Sequence, residues 1–250
     1  MPIWLQAGLW GLLAGGALVV GALVAWFVRV PRPVVASVMS FGAGVLISAL
    51  AFDLVAEAES TGGLTATLIG FLGGALVYVV ANVALARHGA QHRKRSEDQQ
   101  PSESEQAGSG TAIAIGALLD GVPESIVLGL TLLTGQGIGI PVLAAVFISN
   151  LPEGLSSAAG MKRADRRPLY VFGVWGGIAV LSGAAGALGV LLLAGASPAL
   201  VAVITAVAAG AILAMVADTM IPEAFEQTHL YAGLVATVGF ALSFTLEHLG

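Results

Sequence analysis

Eight apolar runs, each long enough to cross a bilayer, make up most of this 250-residue chain. They are residues 3–28, 34–56, 64–86, 111–133, 138–160, 169–194, 199–221 and 230–248. A spanning helix needs about 20 mostly apolar residues, because lipid offers no water to satisfy open backbone groups. Charged residues are 10% of the chain, against about 25% in soluble domains. That balance excludes an ordinary soluble enzyme, a disordered chain and a nucleic-acid binder. The expected fold class is an all-α integral membrane protein with eight transmembrane helices, one transport domain over residues 1–250. All the runs are rich in Gly, Ala and Ser, which let helices approach closely in lipid. Cys is absent, so there is no disulfide framework and no thiolate metal site. The first run lacks a basic leader and a small-residue cleavage site, and reads as a retained helix.

The ten Lys and Arg residues fall in three places. Arg29 and Arg32 separate the first two runs. Arg87, Arg93, Lys94 and Arg95 follow the third. Lys162, Arg163, Arg166 and Arg167 follow the fifth. The connections after the second, fourth and sixth runs carry none. Basic loops stay on the cytoplasmic side, which puts both termini outside. The connection after the seventh run is acidic and gives no vote. The expected location is a bacterial inner (plasma) membrane, in contact with lipid. Residues 87–110 are polar, bear Gly, Ser and Pro and lack an apolar period, so they read as a flexible cytoplasmic loop. His88 and His92 within it read as solvated histidines.

Asp53, Glu57, Asp120, Glu124, Glu153, Asp218 and Glu223 lie in or at the ends of the runs. No Lys, Arg or His lies deep in a run to pair with them. A carboxylate at mid-bilayer costs at least about 2.5 kcal/mol, so protons or bound cations are expected to offset the charge. Asp120 and Glu124 are i and i+4 and share a helix face. Ser149, Asn150 and Glu153 repeat that layout one run later. Pro123, Pro152 and Pro222 each precede a glutamate, and each removes a helical hydrogen bond, freeing the carbonyls of Leu119, Ile148 and Asp218. Free carbonyls and carboxylates are ligands for hard cations. Asp120, Glu124, Asn150 and Glu153 fall near mid-run, Asp53 and Glu57 toward the outside, and Asp218 and Glu223 toward the inside. Together they outline a route across the membrane.

Residues 43–58 (AGVLISALAFDLVAEA) align without gaps on 209–224 (AGAILAMVADTMIPEA), with Glu57 opposite Glu223. VPES (122–125) and LPEG (151–154) share a Pro-Glu-small core. In each pair the two runs cross in opposite directions, as a three–two–three inverted repeat requires. Such repeats, with broken helices at the midplane, mark secondary transporters.

These motifs resemble those of the ZIP (Zrt/Irt-like) family of divalent metal transporters, over essentially the whole chain. Where that family shows His-Asn-x-Pro-Glu-Gly on its fourth helix, this chain reads Asp120-Gly121-Val122-Pro123-Glu124-Ser125. On the fifth it reads Ser149-Asn150-Leu151-Pro152-Glu153-Gly154. The His-Leu-Leu-Pro-Glu-Ala of the second corresponds to Asp53 through Ala58, and the Leu-Pro-Glu-Ala of the seventh to Ile221 through Ala224. The resemblance implies an inward-moving divalent cation as transported substrate, zinc by family, with iron or manganese alternatives. It implies metal ligation by Glu124, Asn150 and Glu153, with Asp120 as a substituted ligand. The transport-site histidines are gone, with Asp at 53 and 120 and Ser at 149. An all-oxygen site favours harder ions than zinc. The expected partners are the cation and lipid, no nucleic acid, with room for a homodimer. The competing readings are a proton- or sodium-coupled carrier and a transport-inactive metal-binding relative. No HExxH motif occurs, and no membrane histidine stands ready to activate Ser149, so an intramembrane protease is not expected.

Overall fold

The structure is a computed structural model. It describes residues 1–94, 100–102, 104–133 and 140–249. The connection after the fourth run and residues 95–99 of the long polar loop thus lie outside the described residues. The described chain is helical: α1 (Ile3–Phe27), α2 (Arg32–Ala49), α3 (Ala56–Leu85), α4 (Ser109–Leu133), α5 (Ile140–Arg163), α6 (Pro168–Leu193), α7 (Pro198–Met215), α8 (Ile221–Thr228) and α9 (Ala232–Leu249). Among the described residues three π-helical turns interrupt the series, Leu50–Val55 before α3, Ala86–Ala90 after it and Val216–Met220 before α8.

Among the described residues, seven segments are long and apolar enough to cross a membrane. The second of them, Arg32–Ala90, runs 59 residues. At about 1.5 Å per residue that is roughly three bilayer cores long. It contains both the second and the third apolar runs of the sequence. Gly63, at φ 75°, interrupts it with a conformation that only glycine adopts cheaply. Arg32 and Val35 line a cavity with Lys162 and Arg163 at one end of the bundle. Glu57, Ser60 and Thr61 line another, with Leu133, Leu193 and Pro198, at the opposite end. Arg87 then meets Gln106 near Arg166, back at the first end. The run therefore goes out and returns. All three basic clusters share this first end, called the basic end below.

The helices pack through glycines. A Cβ on Gly44 of α2 would overlap the carbonyl of Ala236 in α9, and one on Gly239 would overlap that of Phe41. The same pair of contacts recurs between α7 and α3. Gly210 meets the Phe71 carbonyl and Gly74 meets that of Val207. Each residue of the first set is displaced by 165 or 166 positions from its counterpart in the second. The π-helical turns Leu50–Val55 and Val216–Met220 obey the same spacing. The ungapped alignment of 43–58 with 209–224 thus has a counterpart in backbone shape and helix pairing. Pro222 stands in the first turn of α8, directly after the π-helical turn and within the continuous apolar segment Pro198–Glu226.

These close contacts generate a paired test. Gly74→Leu should destabilise the protein by about 1–3 kcal/mol, as overpacking does. Gly73→Leu, next to it but with open space beyond its Cα, should leave the melting temperature in detergent nearly unchanged. Equal melting temperatures for the two variants would mean that α3 and α7 do not touch at Gly74.

Candidate metal site

Pro123 and Pro152 lie inside α4 and α5, and the acid following each is buried. Asp120 is 2% exposed, Glu124 1% and Glu153 3%. The backbone explains how α5 reaches this depth. Gly154 leaves no room for a Cβ beside the Leu18 carbonyl of α1, and Gly21 of α1 presses on the Leu151 carbonyl. On its other side, Gly42 of α2 lies against Ser149. The glycine after Glu153 is thus a packing residue that lets α1 close over the acids, as Gly42 does for α2.

The acids are not left without counter-charge. Arg93 and Lys94, from the loop that reads as solvent-exposed in sequence, are 1% and 3% exposed. This corrects the expectation that no basic residue reaches the acids. Arg93 grips Asp120 with two bonds, Nε to Oδ2 at 3.0 Å and Nη2 to Oδ1 at 2.9 Å. Tyr78 donates its hydroxyl to Asp120 Oδ1 at 2.7 Å, and Arg93 Nη1 donates to Asn82 Oδ1 at 2.7 Å. Lys94 Nζ lies 2.8 Å from Glu153 Oε2 and 3.4 Å from Asp120 Oδ2. The Lys94 contacts are ion pairs by distance, without a well-aligned N–H···O bond. Glu124 Oε1 is buried with no hydrogen-bond partner, within electrostatic reach of Glu153, Lys94 and Asp120. Among the described residues, no three His, Asp or Glu side chains form a group ready to hold a metal.

The remaining candidates divide by position. Ser149 donates to the Val146 carbonyl of its own helix at 3.0 Å, and Asn150 donates its amide to the Ala14 carbonyl of α1 at 3.0 Å. The Asn150 donor is thereby turned onto α1. Glu223, 2% exposed, accepts from Ser156 of α5 at 3.0 Å. Ser156 follows Glu153 by three residues, so Glu223 continues the acid series along the inner face of α5. Asp53 and Glu57 stand apart, toward the end opposite the basic loops, where Asp53 interacts with Glu247 of α9. Asp218 is exposed on its π-helical turn and is not brought to the other acids.

Four residues of this assembly escaped sequence reading: Arg93, Lys94, Tyr78 and Asn82. A signal existed for the last two, since they are i and i+4 and, apart from two threonines, the polar residues of the third apolar run. Arg93 and Lys94 carried no signal beyond a basic run. His88 is exposed, as read. Outside the helices, Glu105 accepts from both the backbone N–H and the hydroxyl of Ser102, which holds its carboxyl below the usual range.

A family model described as ZIP Zinc transporter matches residues 81–247, about two thirds of the chain. The chain belongs to the ZIP family. No curated protein matches it. As a ZIP-family protein with membrane-spanning apolar helices it is an integral membrane transporter of divalent metal. The matched region begins in α3 and takes in every residue of the ZIP protein's buried site, Tyr78 excepted.

The Arg93–Asp120 pair yields a stability prediction. Removing one partner of a buried ion pair typically costs about 3–5 kcal/mol, because the other charge is stranded. Arg93→Gln should therefore lower the melting temperature sharply. The double variant Arg93→Gln with Asp120→Asn should recover most of the loss. A double variant no more stable than the single one would show that the guanidinium does not hold Asp120.

Proposed function

We propose that this ZIP-family chain carries a divalent cation into the cytoplasm through the buried acids of α4 and α5. The observation that carries this reading is the convergence of Asp120, Glu124 and Glu153 on a positively charged group, from two proline-broken helices. Three carboxylates out of contact with water have a strong demand for positive charge. Glu124, Glu153 and the amide oxygen of Asn150 form the core of the ligand set, with Ser149 beside them and Asp120 as the third carboxylate. Asp53 and Glu57 gather cations at the entrance, and Glu223 receives them on the exit side.

In this reading the helical run Arg32–Ala90 crosses the membrane twice, which makes eight spans, with both termini outside. The repeated glycine contacts and π-helical turns support an inverted three–two–three arrangement. Zinc is the ion the family name suggests. The all-oxygen donor set favours manganese or iron(II) over zinc, because zinc prefers imidazole and thiolate. The residues 87–110 form the cytoplasmic loop.

Three measurements follow. Uptake by proteoliposomes across a panel of divalent ions should show transport and its preferred ion, and absence of uptake for every ion sinks the reading. Glu124→Gln and Glu153→Gln should each reduce uptake by at least about tenfold, the effect of losing one charged ligand worth about 1.4 kcal/mol or more. The chain has no native Cys, so single cysteines report topology cleanly. Ser104→Cys should label only from the cytoplasmic side and Gly195→Cys only from outside, and the reverse pattern would invert the proposed direction.

A further inference from the structure

The buried acids face two cations that belong to the chain itself, and these two are held differently. Arg93 is built in. Its guanidinium takes both oxygens of Asp120 and is braced by Asn82 and by the Tyr78 hydroxyl, which accepts from Nη2 at 2.9 Å. A socket is kept open for it, since a Cβ on Gly116 of α4 would lie 2.6 Å from Arg93 Cδ. The turn that delivers the segment depends on Gly89, at φ 96°, where a Cβ would also meet Ser109.

Lys94 is held more simply. Its ammonium rests between Glu153 and Asp120 on ion pairs alone. Its backbone carbonyl accepts from Ser156, the residue that also reaches Glu223. Just beyond, Gln100 donates to the carbonyls of Arg93 and Ser157 at 3.0 and 3.1 Å. Lys94 and Gln100 are thus seated on the basic-end half of α5, and Arg93 on α4.

We infer that Lys94 is a tethered competitor of the transported cation: its ammonium fills the cation place beside Glu153, and metal loading displaces it. Arg93 remains on Asp120 as a fixed counter-charge. This rests on the reading that Glu153 and Glu124 bind the metal. Its chemistry is simple competition for one set of carboxylates. A compact monovalent ammonium on a flexible stem yields to a divalent ion that draws on more oxygens, whereas a guanidinium with a planar two-point grip does not. The observed affinity for metal is then the intrinsic affinity reduced by the fraction of molecules in which Lys94 is out of the site. Residue 94 sets the apparent affinity without touching the ion.

The test is equilibrium binding of Mn(II) to the full-length protein in detergent, alongside uptake by proteoliposomes. Lys94→Gln should tighten Mn(II) binding by about tenfold or more, the factor expected if Lys94 is seated in at least nine molecules of ten. Lys94→Arg, whose guanidinium yields less readily, should bind Mn(II) no more tightly than the wild type. Lys162→Gln, which removes a cation at the basic end away from the acids, should not change it. A Ser156→Cys variant carries the chain's single thiol, beneath the Lys94 carbonyl. Saturating Mn(II) should increase its labelling by a small maleimide, as a purely structural Lys94 would not allow.

Unchanged or weaker Mn(II) binding in Lys94→Gln, with the protein still folded by its melting curve, overturns the inference even if the wild type transports. So does Ser156→Cys labelling that metal leaves unaltered. If Lys94→Gln binds Mn(II) where the wild type barely does, competition is established directly. If neither protein binds or transports any divalent ion, the functional reading falls and this inference falls with it. A wild type that transports while residue 94 has no effect removes the inference alone.

Discussion

Burying carboxylates without water demands positive charge, and the centre of this protein is organised by that demand. Asp120, Glu124 and Glu153 come from neighbouring helices and are each almost wholly enclosed. Left unpaired they would repel one another and carry a large desolvation cost. The chain meets part of the demand with its own cations, brought in from the loop between α3 and α4. Arg93 and Lys94 supply two positive charges against three carboxylates. The remaining imbalance falls at Glu124, whose Oε1 has no hydrogen-bond partner. On the proposed reading, this remaining imbalance is what draws the transported cation in.

The helical frame exists to make that enclosure. In lipid there is no hydrophobic force between helices, so close van der Waals contact has to hold them together. The paired glycine contacts of α2 with α9 and of α7 with α3 bring backbones against one another at matching positions in two halves of the chain. Each half then runs into a π-helical turn, and such turns are common at functional sites. The turns place Asp53 toward one end and allow Glu223 to face inward from α8. Small residues elsewhere do the same work locally: Gly154 admits α1 beside Glu153, and Gly116 admits the side chain of Arg93.

The loop contributes in two ways that composition conceals. Of the described basic residues that follow the third apolar run, Arg93 and Lys94 are inside the protein, where they pair with the acids. Gln100, Ser156 and Arg166 anchor the described parts of the loop to α5 and to the start of α4. A polar segment without apolar periodicity is therefore held by hydrogen bonds to side chains and carbonyls, an arrangement that hydropathy does not register.

Sequence alone determined the membrane class, the positions of the apolar helices and the four Pro-Glu or Glu-Ala motifs, because lipid solvation acts on each run of about 20 residues independently of its neighbours. It also exposed the repeat of residues 43–58 at 209–224 and the acids on one face of α4 and α5, since helical periodicity is local. The family was legible for the same reason, being written in short motifs along single helices. Which acids meet was not. Glu223 and Asp218 are equally acidic and five residues apart, yet one is buried against Ser156 and the other exposed, and which of the two faces inward depends on the helices packed around them. Nor was the partner of Asp120 legible. Arg93 stands 27 residues away in a polar loop, and its burial depends on a turn at Gly89, a socket at Gly116 and the pull of a carboxylate on another helix. Those are long-range contacts, and only the tertiary structure decides them.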